Sequence, residues 1–236
     1  MNAVIFGSSG GIGRALTENL IQSGAYSRVF AVSRSGDGIE GATALTADFL
    51  DETALEAVAQ AIGEKGPVAL CIVASGILSD GDTLQPEKSY RHQSRAAFET
   101  VFAVNTIAPA LIAKHMLPLM PKKERSVFAA LSARVGSISD NRLGGWHAYR
   151  ASKAALNLLI RNYAIEQARR APGSICAGLH PGTVDTGLSR PFQSGVPDGK
   201  LFTPQQSAAY LLGVIDRLTP EDSGKCFDWN GQEVPA

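Results

Sequence analysis

The sequence lacks an excess of charge of either sign, since its 236 residues contain 22 Lys and Arg side chains against 22 Asp and Glu side chains. A protein that holds nucleic acid or anionic lipid through its overall electrostatic field needs a basic excess. The balance therefore argues against nucleic acid and a charged membrane surface as partners. The apolar fraction of 44% is ordinary for a globular chain.

Cysteine is also scarce. Cys71, Cys176 and Cys226 lie far apart and form no CxxC motif or Cys/His cluster, so we expect buried, reduced thiols. No His, Asp or Glu residues have the spacing of a metal site, and no metal is expected. We expect no apolar stretch to reach the length of a bilayer span, and no signal peptide. These absences predict a cytoplasmic protein with no membrane partner.

The sequence does contain an alternation of short apolar runs with helical patterns. Strands are predicted at residues 2–6, 28–33, 43–47, 68–74, 126–131, 174–179 and 225–228. Helical spacing covers residues 55–62, 97–119, 149–167 and 204–218. We predict a single doubly wound α/β domain of the Rossmann type over residues 1–236, with a central parallel sheet of about seven strands and helices on both faces.

One connection is unusually short for this architecture. Only the nine residues RSGDGIEGA separate the second and third predicted strands. A helical crossover between parallel strands normally needs a dozen residues or more. Either a helix is missing here or the predicted strand limits are wrong.

Three glycines follow the first strand in VIFGSSGGIGRALTENL. Gly7, Gly11 and Gly13 precede a segment with helical spacing, so they lie at a helix N-terminus. Unpaired N–H groups and the helix dipole favour an anion there, and glycine lets a phosphate approach the main chain. The spacing predicts a pyrophosphate site, with a tight turn as the alternative.

A second motif lies in GGWHAYRASKAALN, where Tyr149 and Lys153 are four residues apart near the start of a predicted helix. This spacing places both side chains on one helical face. A neighbouring ammonium stabilises phenolate and is expected to lower the tyrosine pKa, which would make Tyr149 a general acid/base. The alternative is a solvated helix surface.

Together these motifs resemble the short-chain dehydrogenase/reductase family, over essentially the whole chain. The resemblance includes Asn105 in VFAVNTIAPAL, to which the family pattern assigns a proton relay with Lys153 through a water. The segments ARVGSISDN, GGWHAYRASKAALN and CFDWNGQEVPA resemble the C-signal and sniffer-type carbonyl reductase branch. The resemblance implies cofactor contacts by Gly7, Ser9, Gly11, Ile12, Gly13, Ser33, Arg34, Asp48, Phe49, Ala74, Ser75, Gly76, Asn105, Tyr149, Lys153, Pro181, Gly182, Val184 and Thr186.

Several of these assignments have alternatives. The resemblance places adenine on Asp48, which would otherwise cap the helix beginning near Glu52. The segment HPGTVDT resembles the motif that holds the nicotinamide carboxamide, and we interpret His180 before it as a packing residue at the strand end. VASG stands where the family usually has Asn-Asn-Ala-Gly, so both asparagines are missing.

The family's Ser-Ser pair also differs here. LSARVGSISD aligns Ser132 with the first serine and Ala133 with the second, which orients the substrate carbonyl. A hydroxyl is needed to polarise the carbonyl oxygen, so we predict Ser132 as the fourth catalytic residue beside Tyr149, Lys153 and Asn105. Ser137 is the alternative.

The end of the second strand indicates which dinucleotide is used. An acidic residue there binds the free ribose hydroxyls of NAD, whereas an arginine accepts the 2′-phosphate of NADP. The chain has Ser33, Arg34 and Ser35, and no acid before Asp37. We predict NADP(H) as the preferred cofactor, with NAD(H) possible; a surface arginine without a ligand is the alternative.

These features predict an oxidoreductase that transfers hydride between NADP(H) and a small carbonyl or alcohol substrate. The resemblance implies a substrate lid over residues 187–203, with apolar contacts from Leu188 and Phe192, and a homodimer or homotetramer formed through the helices at 97–119 and 149–167. A non-catalytic dinucleotide-binding signalling or sensor protein is the main alternative, because Ala133 departs from the catalytic pattern. An extended-family epimerase or dehydratase would need a substrate domain for which the chain has little room.

Overall fold

The structure is a computed structural model that describes residues 1–81 and 83–236. Its main sheet has eight strands in the order β10-β9-β6-β5-β4-β1-β2-β3. The strands are β1 (Asn2–Phe6), β2 (Arg28–Ser33), β3 (Thr43–Thr46), β4 (Val68–Val73), β5 (Ser126–Leu131), β6 (Ser174–His180), β7 (Thr183–Val184), β8 (Leu201–Phe202), β9 (Cys226–Asp228) and β10 (Glu233–Val234). The helices are α1 (Gly11–Ser23), α2 (Glu52–Gly63), α3 (Arg95–Phe102), α4 (Ala108–Met116), α5 (His147–Arg170) and α6 (Pro204–Arg217).

The doubly wound α/β prediction is confirmed. Seven strands of the main sheet run parallel, and only β10 pairs antiparallel, with β9. The prediction missed β10 because a two-residue strand carries no usable periodicity. It also missed β7 and β8, which form a separate two-stranded sheet.

Side chains alternate along the buried strands and fill two cores. Val4 and Phe6 of β1 belong to the core beneath α2, α4 and α5, whereas Ala3 and Ile5 belong to the core beneath α1 and α6. Helices therefore cover both faces of the sheet, which is why its central strands consist of continuous apolar runs. The three cysteines are buried free thiols, as predicted.

The short connection between β2 and β3 has no helix, and the two strands are nevertheless parallel. The first explanation is therefore right, and the predicted strand limits were nearly correct. The main chain turns at Gly36, which has a φ of +69°, and its N–H donates to Ser33 Oγ at 3.0 Å.

The predicted helix at 97–119 is a composite of α3, a π-helical turn at Ala103–Ile107, α4 and a 3₁₀ turn at Leu117–Leu119. By length and composition, Arg95–Leu119 is apolar enough to cross a membrane, so our expectation that no stretch reaches that length was wrong. In this fold Ile112, Ala113 and Met116 are completely buried in the core against the sheet.

Candidate active site

A cavity of about 650 Å³ lies at the carboxyl edge of the sheet, where the chain connections diverge between β1 and β4. The turns after β1, β4, β5 and β6 form its wall together with the start of α5. Thirteen of the predicted site residues border it, namely Gly11, Ile12, Gly13, Ala74, Ser75, Gly76, Ser132, Tyr149, Lys153, Pro181, Gly182, Val184 and Thr186. Gly7, Ser9, Ser33, Arg34, Asp48, Phe49 and Asn105 lie outside its lining.

The glycine turn at one end of the cavity is held by main-chain contacts. A Cβ added to Gly13 would lie 2.1 Å from the carbonyl oxygen of Gly7, and one added to Gly7 would lie 2.8 Å from the Ser75 nitrogen. The N-cap of α1 is Gly10, which supplies no side-chain cap. The first N–H groups of α1 thus have no side-chain cap and are available to an anion. The close main-chain packing leaves no room for a side chain at Gly7 or Gly13.

The Ser8 hydroxyl is a further unpaired group in this turn. Ser8 is buried, and its Oγ has no hydrogen-bond partner among the described residues. A buried hydroxyl normally finds a partner. Its position beside the N-terminus of α1 is consistent with an anionic ligand.

Tyr149 and Lys153 lie together on the first turns of α5, and both are buried. Lys153 Nζ lies 5.8 Å from the centroid of the Tyr149 ring and donates to the Leu131 carbonyl at 2.7 Å. Burial raises the pKa of Tyr149 to about 12 and lowers the pKa of Lys153 to about 8. The expected lowering of the tyrosine pKa was therefore wrong for this structure, because desolvation outweighs the neighbouring ammonium.

Asn105 lies in the π-helical turn, a feature that often marks functional sites. Its side chain accepts from the Ile77 N–H and donates to the Ile77 carbonyl, both at 2.8 Å, and also donates to Ser152 Oγ. A Cβ added to Gly76 would lie 3.5 Å from Asn105 Oδ1 and 3.6 Å from Lys153 Nζ. Asn105 thus anchors the turn after β4 beside Lys153, and its part in a proton relay stays a prediction.

The two candidate serines differ in position. Ser132 borders the cavity, but its Oγ donates to Asn157 Oδ1 at 2.6 Å. Ser137 is buried outside the cavity lining, and its Oγ accepts from the Asp140 N–H at 3.1 Å. Ala133 borders the cavity with a methyl group where the family serine would stand.

The residues predicted to contact the adenosine half of the cofactor lie at the ends of β2 and β3 or shortly after them. Arg34 is exposed, and Ser33 is buried with its hydroxyl facing the Gly36 N–H. The N-cap of α2 is Asp51, whereas the Asp48 carboxylate accepts from the Leu50 N–H at 3.0 Å. The capping alternative for Asp48 was therefore wrong.

Phe49 belongs to the core rather than to the cavity. Its ring packs edge to face against Phe6, with 5.5 Å between ring centroids. Any cofactor contact by Phe49 would therefore come from its main chain.

A model of the short chain dehydrogenase family matches residues 1–196. The chain belongs to this family. C-signal of Myxococcus xanthus is 39% identical over 134 residues, which cover 57% of this chain and 75% of C-signal. The 1-hydroxy-2-glutathionyl-2-methyl-3-butene dehydrogenase of Rhodococcus sp. is 36% identical over 122 residues, which cover 52% of this chain and 51% of that enzyme.

Solved structures extend the likeness over the whole chain. A carbonyl reductase of Pseudomonas aeruginosa is 26% identical with a TM-score of 0.80, covering 100% of this chain and 99% of that one. Carbonyl reductase Sniffer of D. melanogaster has a TM-score of 0.85 at 20% identity, with both chains fully covered. The predicted family and its C-signal and sniffer resemblance are confirmed.

Within this short-chain dehydrogenase, sequence reasoning missed the apolar wall formed by Trp146. Trp146 has a φ of +50°, the only non-glycine residue with positive φ among those described. Its ring lies 6.3 Å from that of Tyr149 and 5.1 Å from that of Phe192, centroid to centroid. The sequence does place this tryptophan directly before α5 and three residues from Tyr149, and that proximity could have predicted its place in the wall. Leu188 and Phe192 border the cavity too, and their apolar contacts with a substrate stay a prediction.

Proposed function

We propose that the protein is a cytoplasmic NADP(H)-dependent oxidoreductase that interconverts a small carbonyl compound and its alcohol. The proposal depends chiefly on one observation: the buried pair Tyr149 and Lys153 shares a cavity with the N-terminus of α1. The end of the cavity at the N-terminus of α1 fits a pyrophosphate. The other end contains Tyr149 as the proton donor, with the Lys153 ammonium beside it. The carbonyl reductases among the solved relatives support this assignment.

The residues of this chain fit a dinucleotide along its length. The glycine turn and Ser8 would hold the pyrophosphate, and Arg34 the 2′-phosphate. Asp48 would meet the adenine, and the segment 181–186 the carboxamide. The structure of chicken carbonyl reductase is NADPH-bound, and a Burkholderia multivorans relative has NADP bound.

When bound, the reduced nicotinamide supplies a hydride to the carbonyl carbon. Tyr149 gives its proton to the carbonyl oxygen, which becomes the alcohol hydroxyl. With a pKa of about 12, Tyr149 is fully protonated at neutral pH and thus ready to act as an acid. The Lys153 ammonium stabilises the phenolate left behind, and Asn105 positions the turn next to it.

The apolar wall selects uncharged substrates. Leu78, Val135, Trp146, Leu188 and Phe192 border the substrate end of the cavity. They exclude water, which strengthens the electrostatic effect of Lys153 on the oxygen. We propose that residues 187–203 form the lid of this single-domain protein, with Leu188 and Phe192 contributing contacts from it.

Tyr149→Phe tests the mechanism. We expect kcat for aldehydes, ketones and quinones to fall about 10²–10⁴-fold, because the proton donor is lost while the ring keeps its packing. NADPH affinity, measured by fluorescence titration, should stay unchanged. Tyr163→Phe is the matched control, since Tyr163 lies on the same helix and packs against Phe128 outside the cavity. Equal activity of both variants on a responsive substrate would exclude Tyr149 as the acid.

Arg34→Ala tests the cofactor preference. Loss of a charge-assisted phosphate contact should raise the NADPH Kd by about tenfold or more, with little change for NADH. Arg28→Ala is the control, because Arg28 is exposed at the opposite end of the same strand. Equal loss of affinity for both cofactors would contradict an interaction with the 2′-phosphate.

A dinucleotide-binding sensor is the second candidate, favoured by the methyl group of Ala133 and the engaged hydroxyl of Ser132. The same titration and substrate screen separate the two functions. A sensor would bind NADPH and reduce no substrate.

We further propose that copies of the chain pair through α4 and α5 into a homodimer or homotetramer. Ile107, Leu158 and Ile165 are large apolar residues exposed on this part of the surface. Analytical ultracentrifugation of the wild type and of Leu158→Glu measures the assembly, which the added charge should weaken. A monomeric wild type would contradict this proposal.

A further inference from the structure

His180, at the end of β6, is a polar group that the proposed mechanism leaves without a role. His180 borders the cavity that contains Tyr149. Its Nδ1 is shielded from solvent and has no hydrogen-bond partner among the residues that the structure describes.

The tautomer follows from this geometry. A neutral imidazole carries one N–H, and a proton on Nδ1 would bury an unpaired donor, which is rarer in folded proteins than an unpaired acceptor. We therefore assign the proton to Nε2, the ring nitrogen that is not enclosed in the same way. Nε2–H then makes His180 a hydrogen-bond donor at the cavity wall.

The ring is also neutral at physiological pH. Burial lowers the pKa of His180 to about 4, and Arg134 lowers it further, whereas Asp228 on the adjacent strand opposes the shift. The Asp228 carboxylate accepts from the Asn230 and Gln232 N–H groups, both at 2.9 Å. Arg134 pairs with Asp140 at 2.7 Å. Both nearby charges therefore have other partners.

The end of β5, which lies beside His180, offers the cavity no free hydroxyl. The Ser132 N–H donates to the Leu179 carbonyl at 2.8 Å, so the ends of β5 and β6 lie side by side. Ala133 borders the cavity with a methyl group, and the proton of the Ser132 hydroxyl is directed to Asn157. A substrate oxygen at Tyr149 thus lacks a hydroxyl donor from the end of β5, and His180, at the end of the adjacent strand, borders the same cavity.

We propose that His180 Nε2–H donates a hydrogen bond to the substrate carbonyl oxygen, in place of the hydroxyl that position 133 lacks. The inference rests on the proposed reductase function. His180 polarises the carbonyl and keeps its own proton, while the proton that ends on the oxygen comes from Tyr149. A neutral imidazole suits this role, because an N–H donor aimed at the developing oxyanion stabilises the transition state.

Two variants at position 180 test the donor. His180→Leu keeps an apolar filling but removes the N–H, and kcat/KM should fall about 10²–10³-fold. His180→Gln keeps an amide N–H and should retain activity within about tenfold of the wild type. NADPH affinity by fluorescence and the melting temperature should change little in either variant. His92→Leu controls for loss of a histidine, because His92 is exposed and outside the cavity.

A second-site change separates a catalytic role from a structural one. Ala133→Ser in the His180→Leu background restores the hydroxyl and should recover at least about tenfold in kcat/KM, whereas Ala133→Ser alone should change it by less than about threefold. A structural defect at His180 would not respond to a hydroxyl at position 133.

The outcomes are distinct. If the wild type reduces no carbonyl compound, or its activity does not depend on Tyr149, the proposed function itself fails. If the wild type is active and His180→Leu stays within about threefold of it, the inference about His180 is overturned. It is also overturned if Ser132→Ala abolishes activity while His180→Leu does not, since Ser132 would then be the donor. A His180→Leu variant that does not fold leaves the decision to His180→Gln, where a loss as large as about 10²-fold in a folded protein refutes the proposal.

Discussion

Replacing Gly13 by alanine should destabilise the glycine turn between β1 and α1. Gly13 lies inside α1, where alanine would normally stabilise the helix by about 1 kcal/mol. Here the added Cβ would stand 2.1 Å from the Gly7 carbonyl oxygen and 2.8 Å from its carbon. Ordinary contact begins at 3.4 Å, and the atoms in the way belong to the main chain, so they cannot rotate aside. The clash therefore opposes the gain in helix propensity.

The magnitudes decide the sign. Overpacking that shifts main chain costs about 3 kcal/mol at the upper end of its usual range, against the gain of about 1 kcal/mol. We expect the free energy of unfolding to drop by about 2 kcal/mol, which corresponds to a melting temperature lower by roughly 4–8 °C for a chain of this size. NADPH affinity should fall too, because the N-terminus of α1 must move away from β1.

Thermal unfolding followed by circular dichroism, with fluorescence titration of NADPH, measures both effects. Gly10→Ala is the matched control in the same turn. Gly10 has a φ of −76°, and its added Cβ meets nothing nearer than 3.4 Å. Alanine is a poorer N-cap than glycine, so the control should lose at most about 1 kcal/mol. A Gly13→Ala protein as stable as the Gly10→Ala protein would refute the reasoning.

Three further predictions concern pH and local stability. The kcat/KM for reduction should decline as the pH rises through about 8, where Lys153 loses its proton while Tyr149 keeps its own; a pH–rate profile measures this. The unfolded chain binds more protons than the folded one between the folded pKa of His180, about 4, and the ordinary histidine pKa of 6.5, so stability should fall as the pH drops through that window. Urea unfolding should show that His180→Leu removes this acid-induced loss, which amounts to about 3 kcal/mol. Asp51→Ala should cost about 1 kcal/mol of stability without changing kcat, because Asp51 caps α2 by accepting from the Thr53 and Ala54 N–H groups; urea unfolding and steady-state kinetics measure both.

Much of the fold could be predicted because it depends on local patterns. Apolar runs separated by helical spacing identified seven parallel strands, and the glycines located the start of α1. The Tyr149 and Lys153 spacing placed both side chains on one turn of α5. Each of these features is determined within a few residues of the chain. The two-residue strands and the composite helix at 95–119 lacked such a signal.

The surroundings of the site depend on contacts between segments that are far apart in the chain. The pKa of Tyr149 rises instead of falling because distant segments bury it, and the Ser132 hydroxyl turns to Asn157, 25 residues away. Trp146 and His180 meet the cavity through a turn and a strand end that carry no periodic signal. Local patterns in the chain are enough to predict the order of the elements and the residues at their ends, since backbone preference and side-chain period are local. Desolvation and hydrogen-bond partners depend on which segments pack together, and only the folded chain determines them.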